Sequence, residues 1–159
     1  GIPVDCVVQG LESVEPVSGR GERLDLGNGV VVINDAYNAN PASLEAAIDL
    51  LSRYQGRRIL VLGDMAELGA DAARLHAAAG KGAHDAGIDR LLGLGPLSSE
   101  ACAAFGQRSD GHRDLDALVE AVVEEASQPV TILVKGSRSM RMERVVDALR
   151  SRMSAGGAG

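Results

Sequence analysis

The chain has 159 residues, enough for one domain of ordinary size and little more. Its 22 acidic and 16 basic residues leave a net charge of −6, which argues against a general nucleic-acid binder, since that needs a basic face to displace counterions. A hydrophobic share of 45% with 24% charged residues argues against disorder, and no apolar run approaches the ~20 residues that cross a bilayer. The two cysteines, Cys6 and Cys102, form no C-x-x-C, so neither a disulfide scaffold nor a zinc ribbon is expected, and a reducing cytoplasm fits. Gly1 to Gly10 has no basic region and no long apolar stretch, so no leader is expected. Aromatics are only Tyr37, Tyr54 and Phe105, too few for a base-stacking platform.

Residues 1–15 read as a short amphipathic helix with Val4, Val7, Val8 and Leu11 on one side, and residues 16–21 read as a Pro/Ser/Gly linker. Glu22–Leu26 alternates polar and apolar as a strand does. The following Asn28-Gly29 tolerates the positive φ of a hairpin turn. Val30–Ile33 is a β-branched run suited to a buried strand. Asn40-Pro41 opens a helix, because Asn caps and Pro at the first position loses no needed N–H.

Further strands are expected at 59–62, 90–94 and 130–134, with a poor one near 109–112. Helices are expected over 70–86, over 97–105, after Asp114, and through Met142, Val145, Val146 and Leu149. The end, from residue 154, offers nothing to bury and is expected to fray. Strands separated by helices pair in parallel, so the expected fold is a three-layer α/β, Rossmann-like domain over 22–153. About six strands are expected, mostly parallel, with one antiparallel edge strand.

In such sheets ligands collect at the carboxyl ends of the strands. Three segments lie there. Asn34-Asp35-Ala36-Tyr37-Asn38-Ala39-Asn40-Pro41 packs a carboxylate, amides and a phenol beside a helix N-terminus, although a plain βα turn has the same composition. Gly63-Asp64-Met65-Ala66-Glu67-Leu68-Gly69 places two acids where they could hold an ammonium group, or stand in a solvated loop. Lys135-Gly136-Ser137-Arg138-Ser139 could receive a carboxylate or phosphate, or simply cap a helix. Arg20, between glycines, could swing onto a phosphate or be an ordinary linker residue.

Other signatures are missing. There is no G-x-x-x-x-G-K-S/T phosphate loop, and the dinucleotide pattern begun at Gly93 breaks at Ser98. No H-E-x-x-H occurs, and His76, His84 and His112 are scattered, so no metal site is expected in this chain. His76 and His84, on one predicted helix, read as surface residues rather than ligands. Cys102 reads as buried and inert.

Taken in order, these segments resemble the C-terminal domain of the Mur ligase family. The resemblance rests on Gly19-Arg20, on the segments 34–41 and 63–69 with His76 after the latter, on Gly87-Ile88-Asp89-Arg90, and on Val134-Lys135-Gly136-Ser137-Arg138 with Met142-Glu143 following. It covers about residues 1–150.

The resemblance implies ATP-dependent amide-bond formation in peptidoglycan precursor synthesis, with D-Ala-D-Ala joined to UDP-N-acetylmuramoyl-tripeptide through an acyl phosphate. It implies that the N-terminal and central domains of the same ligase are the partners, that residues 1–15 are the last helix of the central one, and that residues 16–21 are the hinge. ATP and Mg2+ would be the cofactors, held mainly by the central domain. Arg20, Asp35, Tyr37, Asn38 and Asn40 would meet ATP. Lys135, Ser137 and Arg138 would meet the dipeptide carboxylate, and Asp64 and Glu67 its ammonium. No acid–base catalyst is assigned, and the domain alone is expected to be inactive. The rival expectation is a stand-alone Rossmann-like small-molecule binding domain, which shares the fold and lacks the ligase partners.

Overall fold

The computed structural model describes residues 18–156. The helix expected over 1–15, most of the linker's first half and the last three residues lie outside this range.

A hairpin opens the described chain. β1 (Glu22–Gly27) pairs antiparallel with β2 (Val30–Asp35), and Asn28 takes the left-handed conformation, φ 55°, that the turn requires. Alternation follows: α1 (Pro41–Ser52), β3 (Arg58–Gly63), α2 (Ala72–Asp85), β4 (Arg90–Leu94), α3 (Pro96–Phe105), β5 (Ser109–His112), α4 (Leu115–Glu125), β6 (Val130–Lys135) and α5 (Glu143–Gly156). The six strands form one sheet in the order β1-β2-β6-β3-β4-β5. Every neighbouring pair except β1 with β2 is parallel. The expected six-stranded, mostly parallel sheet with one antiparallel edge is therefore present.

The pleat divides the apolar residues between two cores. On one face Val32, Val61, Leu92, Ile132 and Val134 pack against α4 and α5 through Leu118, Val122, Val145, Val146 and Leu149. On the other, Ile33, Leu60, Leu62, Leu91 and Leu133 pack against α1, α2 and α3 through Leu44, Leu51, Ala83, Ala101 and Phe105. This is the three-layer arrangement. β6 is buried along its whole length because it lies between β2 and β3 with helices on both faces.

α2 and α3 approach closely. A Cβ placed on Gly80 would lie 2.0 Å from the Ala101 carbonyl oxygen, so only glycine fits there. The segment read as helix from residue 70 starts instead with a 3-10 turn, Gly69–Asp71, before α2 proper. At the other end of the described chain, α5 runs through Ser154, Ala155 and Gly156. Its buried side carries Val145, Val146 and Leu149, and its end, from Ser154 to Gly156, is exposed.

Candidate functional site

Parallel topology brings the carboxyl ends of β2, β6 and β3 side by side, and with them the three loops singled out by the sequence. They enclose a cleft of about 800 Å³ lined by Asn38, Asn40, Glu67, Ser137, Arg138 and Arg141, among others.

The first wall follows β2. Asn40 is the N-cap of α1: its Oδ1 accepts the Ser43 N–H at 2.8 Å, and the Ser43 hydroxyl accepts the Asn40 N–H at 3.0 Å. This reciprocal capping box sets the entry angle of the helix. Asn38 turns its Oδ1 to the Ala39 N–H. Tyr37 is 42% exposed, and its N–H donates to the Gly19 carbonyl at 2.9 Å. That bond brings Arg20 onto the phenol ring, with the guanidinium carbon 4.2 Å from the centroid. Arg138, from the loop after β6, lies 5.6 Å from the same centroid. Both distances are within cation–π range. Arg20, Tyr37 and Arg138 thus meet, although they come from three separate segments.

Asp35 and Lys135 are register partners at the ends of β2 and β6. Lys135 Nζ donates to Asp35 Oδ2 at 2.7 Å and to the Asn38 carbonyl at 3.0 Å. The lysine side chain is 3% exposed and the aspartate 22%. Here the Lys135 ammonium is engaged within the protein itself. Two of its three protons are committed, and burial keeps it from solvent, because an ammonium leaves water only when paired. Asp35 Oδ1 has no hydrogen-bond partner among the described residues, and the side chain is 22% exposed.

Asp64 turns its carboxylate to α3, where it accepts the Ser98 N–H at 2.6 Å and the Leu97 N–H at 3.3 Å and so closes the helix N-terminus. The Leu97 and Ser98 N–H groups, which have no carbonyl partner within the helix, and the helix dipole make that end a natural seat for a carboxylate. Gly95, at φ 107°, is where the chain passes the carboxylate: a Cβ there would stand 2.5 Å from Asp64 Cγ. Glu67 remains exposed in the cleft, in the left-handed conformation at φ 63°.

Ser137 is buried and joins the second and third loops. Its Oγ accepts the Ala66 N–H at 2.6 Å, and its own N–H donates to the Asp64 carbonyl at 3.1 Å. Arg138 forms an ion pair with Glu143 at the start of α5. Gly63 and Gly136 lie together beneath Met142: a Cβ on Gly136 would be 2.6 Å from Met142 Cγ and 3.1 Å from Gly63 Cα. The glycines therefore let the two loops approach.

His76 was expected at the surface and is fully buried. It lies on the inner face of α2 with Gly80 and Ala83, at the i, i+4, i+7 spacing. That spacing was the available signal for its burial. Cys102 is buried as expected, and burial pushes its thiol above the usual value. Among the described residues no three acidic, histidine or cysteine side chains are grouped to hold a metal ion. No helix of the described residues is long and apolar enough to cross a membrane.

An α/β domain with a polar cleft over the ends of its parallel strands is of the doubly wound class, in which ligands collect at that end of the sheet. The model of the family described as "Mur ligase, glutamate ligase domain" matches residues 19–138, and the chain belongs to that family. It is 40% identical over 153 residues to the UDP-N-acetylmuramoyl-tripeptide–D-alanyl-D-alanine ligase of Escherichia coli (strain K12), covering 94% of this chain and 33% of that protein. The same-named ligase of Bacillus subtilis (strain 168) is 35% identical over 162 residues, covering 97% of this chain and 35% of that protein. Among solved structures, MurF from Acinetobacter baumannii superposes with a TM-score of 0.82 at 26% identity, covering 95% of this chain and 34% of that one. MurF from Thermotoga maritima, in complex with ADP, shares the fold at a TM-score of 0.79 and 23% identity, covering 94% of this chain and 36% of that one. The chain spans about a third of the length of the curated relatives it matches.

Proposed function

We propose that this chain is the closing domain of an ATP-dependent ligase that joins D-Ala-D-Ala to UDP-N-acetylmuramoyl-tripeptide in the cytoplasm. The observation that carries the reading is the meeting of Arg20, Tyr37 and Arg138 at the mouth of a cleft built from three strand-end loops. The relatives' names supply the reaction, and the cleft supplies a place for its charged reactants.

In this reading the domain acts as a clamp. Bringing charged groups together and excluding water accounts for much of the acceleration in acyl-phosphate chemistry. Asp35, held in place by Lys135, accepts hydroxyls of the nucleotide ribose through Oδ1. Tyr37 offers its exposed face beside Asn38 and Asn40, and Arg20 reaches the phosphates. Arg138 and the Ser137 hydroxyl face the dipeptide carboxylate, and Glu67 its ammonium. Lys135 and Asp64 act one step back, the first by fixing Asp35 and the second by fixing α3. ATP supplies the phosphoryl group that activates the acceptor carboxylate. Mg2+ belongs, in this reading, to the remainder of the ligase. The linker over 16–21 serves as the hinge.

The test is reconstitution. The N-terminal and central domains of the same ligase are prepared separately and mixed with this chain, UDP-tripeptide, ATP and D-Ala-D-Ala. Phosphate release that requires all components supports the reading. Ligation by this chain alone, or none by a folded and associated mixture, contradicts it.

A further inference from the structure

His76 has no part in the proposed ligand contacts, yet it is the most completely engaged polar side chain around the cleft. The ring is fully buried. Its Nδ1 lies 2.6 Å from the Ala72 carbonyl oxygen, which can only accept, so Nδ1 carries the proton. Its Nε2 is then the lone-pair nitrogen, and it accepts the Met65 N–H at 2.9 Å. The two partners fix one neutral tautomer.

The consequence reaches the cleft through the backbone. Met65 is itself fully buried, so its N–H has no water to turn to. The next residue, Ala66, donates to Ser137 Oγ, and the preceding residue, Asp64, accepts the Ser137 N–H through its carbonyl. The Asp64 carboxylate holds the N-terminus of α3. Three consecutive residues are thus tied to α2, to the loop after β6 and to α3, and His76 supplies the central tie. Glu67, the exposed acid of the cleft, follows directly, in a backbone conformation that non-glycine residues adopt only when their surroundings hold them there.

We propose that His76 is a positioning residue: it fixes the loop of residues 63–69 as one wall of the cleft and so sets the place of Glu67 against Ser137 and Arg138. The role in catalysis rests on the ligase reading, whereas the role in the loop does not. His76→Gln keeps an acceptor at about the reach of Nε2. His76→Leu keeps the bulk and removes the acceptor.

The experiment compares both variants with the unsubstituted full chain by amide hydrogen exchange and nitrogen-15 NMR, and then in the reconstituted mixture. The unsubstituted ring is expected to show the Nδ1–H tautomer. His76→Leu is expected to speed exchange at Met65 and Ala66 by at least about tenfold, while β3 and β6 keep their protection. His76→Gln should restore most of it. In an active mixture His76→Leu should raise KM for D-Ala-D-Ala at least about fivefold with kcat changed much less. The opposite tautomer, equal loss in the two variants, a uniform loss through β3 and β6, or an unchanged KM in an active mixture would overturn the proposal. A mixture in which the unsubstituted chain is also inactive counts against the ligase reading, and the exchange comparison still decides the role of His76 in the loop.

Discussion

Lys135 and Asp35 stand opposite one another in the parallel register of β6 and β2, and their side chains meet at 2.7 Å. They are one hundred positions apart in the chain. The pair is lopsided, with the cation sealed and the anion partly hydrated, and that asymmetry has a measurable result. Asp35→Ala leaves a buried ammonium with only the Asn38 carbonyl and is expected to cost about 3 kcal/mol. Lys135→Met fills the same space and leaves an aspartate that water can reach, at a cost of about 1 kcal/mol. Urea denaturation of the two variants checks the order, and a larger loss for Lys135→Met would contradict the claim that the unpaired buried ammonium carries the greater penalty.

Two glycines of α2 are expected to respond oppositely to alanine. Gly→Ala inside a helix ordinarily gains up to about 1 kcal/mol. Gly82 has nothing within 4 Å of the added methyl, so Gly82→Ala is expected to show that gain. Gly80→Ala drives a methyl into the Ala101 backbone, which cannot rotate away, and overpacking of this kind costs about 1–3 kcal/mol or more. Thermal melts of both variants, run together, decide. Equal shifts would mean that α3 is not seated where the structure places it.

The fold was largely legible because each element carries its own local signal. The β-branched run at Val30–Ile33, the Asn28-Gly29 turn and the Asn40-Pro41 start all appear in the structure at those positions. β5 was weakly marked, since Ser109–His112 lies at the sheet edge with only partial burial and shows no apolar run. The insertion of β6 between β2 and β3 is a long-range choice that no local pattern records. The Lys135–Asp35 pair is hidden for the same reason: alone Lys135 reads as a loop cation, and only the register brings Asp35 to it. Asp64 reads as a loop acid until Gly95 and the start of α3 are placed beside it. A histidine in an Ala-rich helix looks like a surface residue, and the backbone N–H that His76 Nε2 accepts lies on a loop eleven positions earlier.

The capping box gives a test of local structure independent of any ligand. Asn40→Ala removes the acceptor for the Ser43 N–H and is expected to destabilise the chain by about 1 kcal/mol. Asn40→Asp keeps a cap and should cost much less. Should the two variants melt together, the side chain of Asn40 is not the cap.

Burial holds the Cys102 thiol protonated above its usual value of 9.0. The folded chain therefore keeps a proton that the unfolded chain gives up, and this residue's contribution to stability falls as pH rises through about 9. In a Cys6→Ser background the folded chain is expected to resist a thiol reagent near neutral pH and to react fully once unfolded. Fast labelling of the folded chain would contradict the burial of Cys102.

On the proposed reading, ligands and partner domains meet the chain at the cleft over β2, β6 and β3. Nitrogen-15 chemical-shift mapping checks this, using labelled chain titrated with the remaining domains of the proposed ligase, ATP and D-Ala-D-Ala. The largest changes are expected on Tyr37, Asn38, Glu67 and Arg138. Changes centred instead on the opposite end of the sheet, at the cavity of about 580 Å³ lined by Arg57, Arg90 and Arg108, would contradict it.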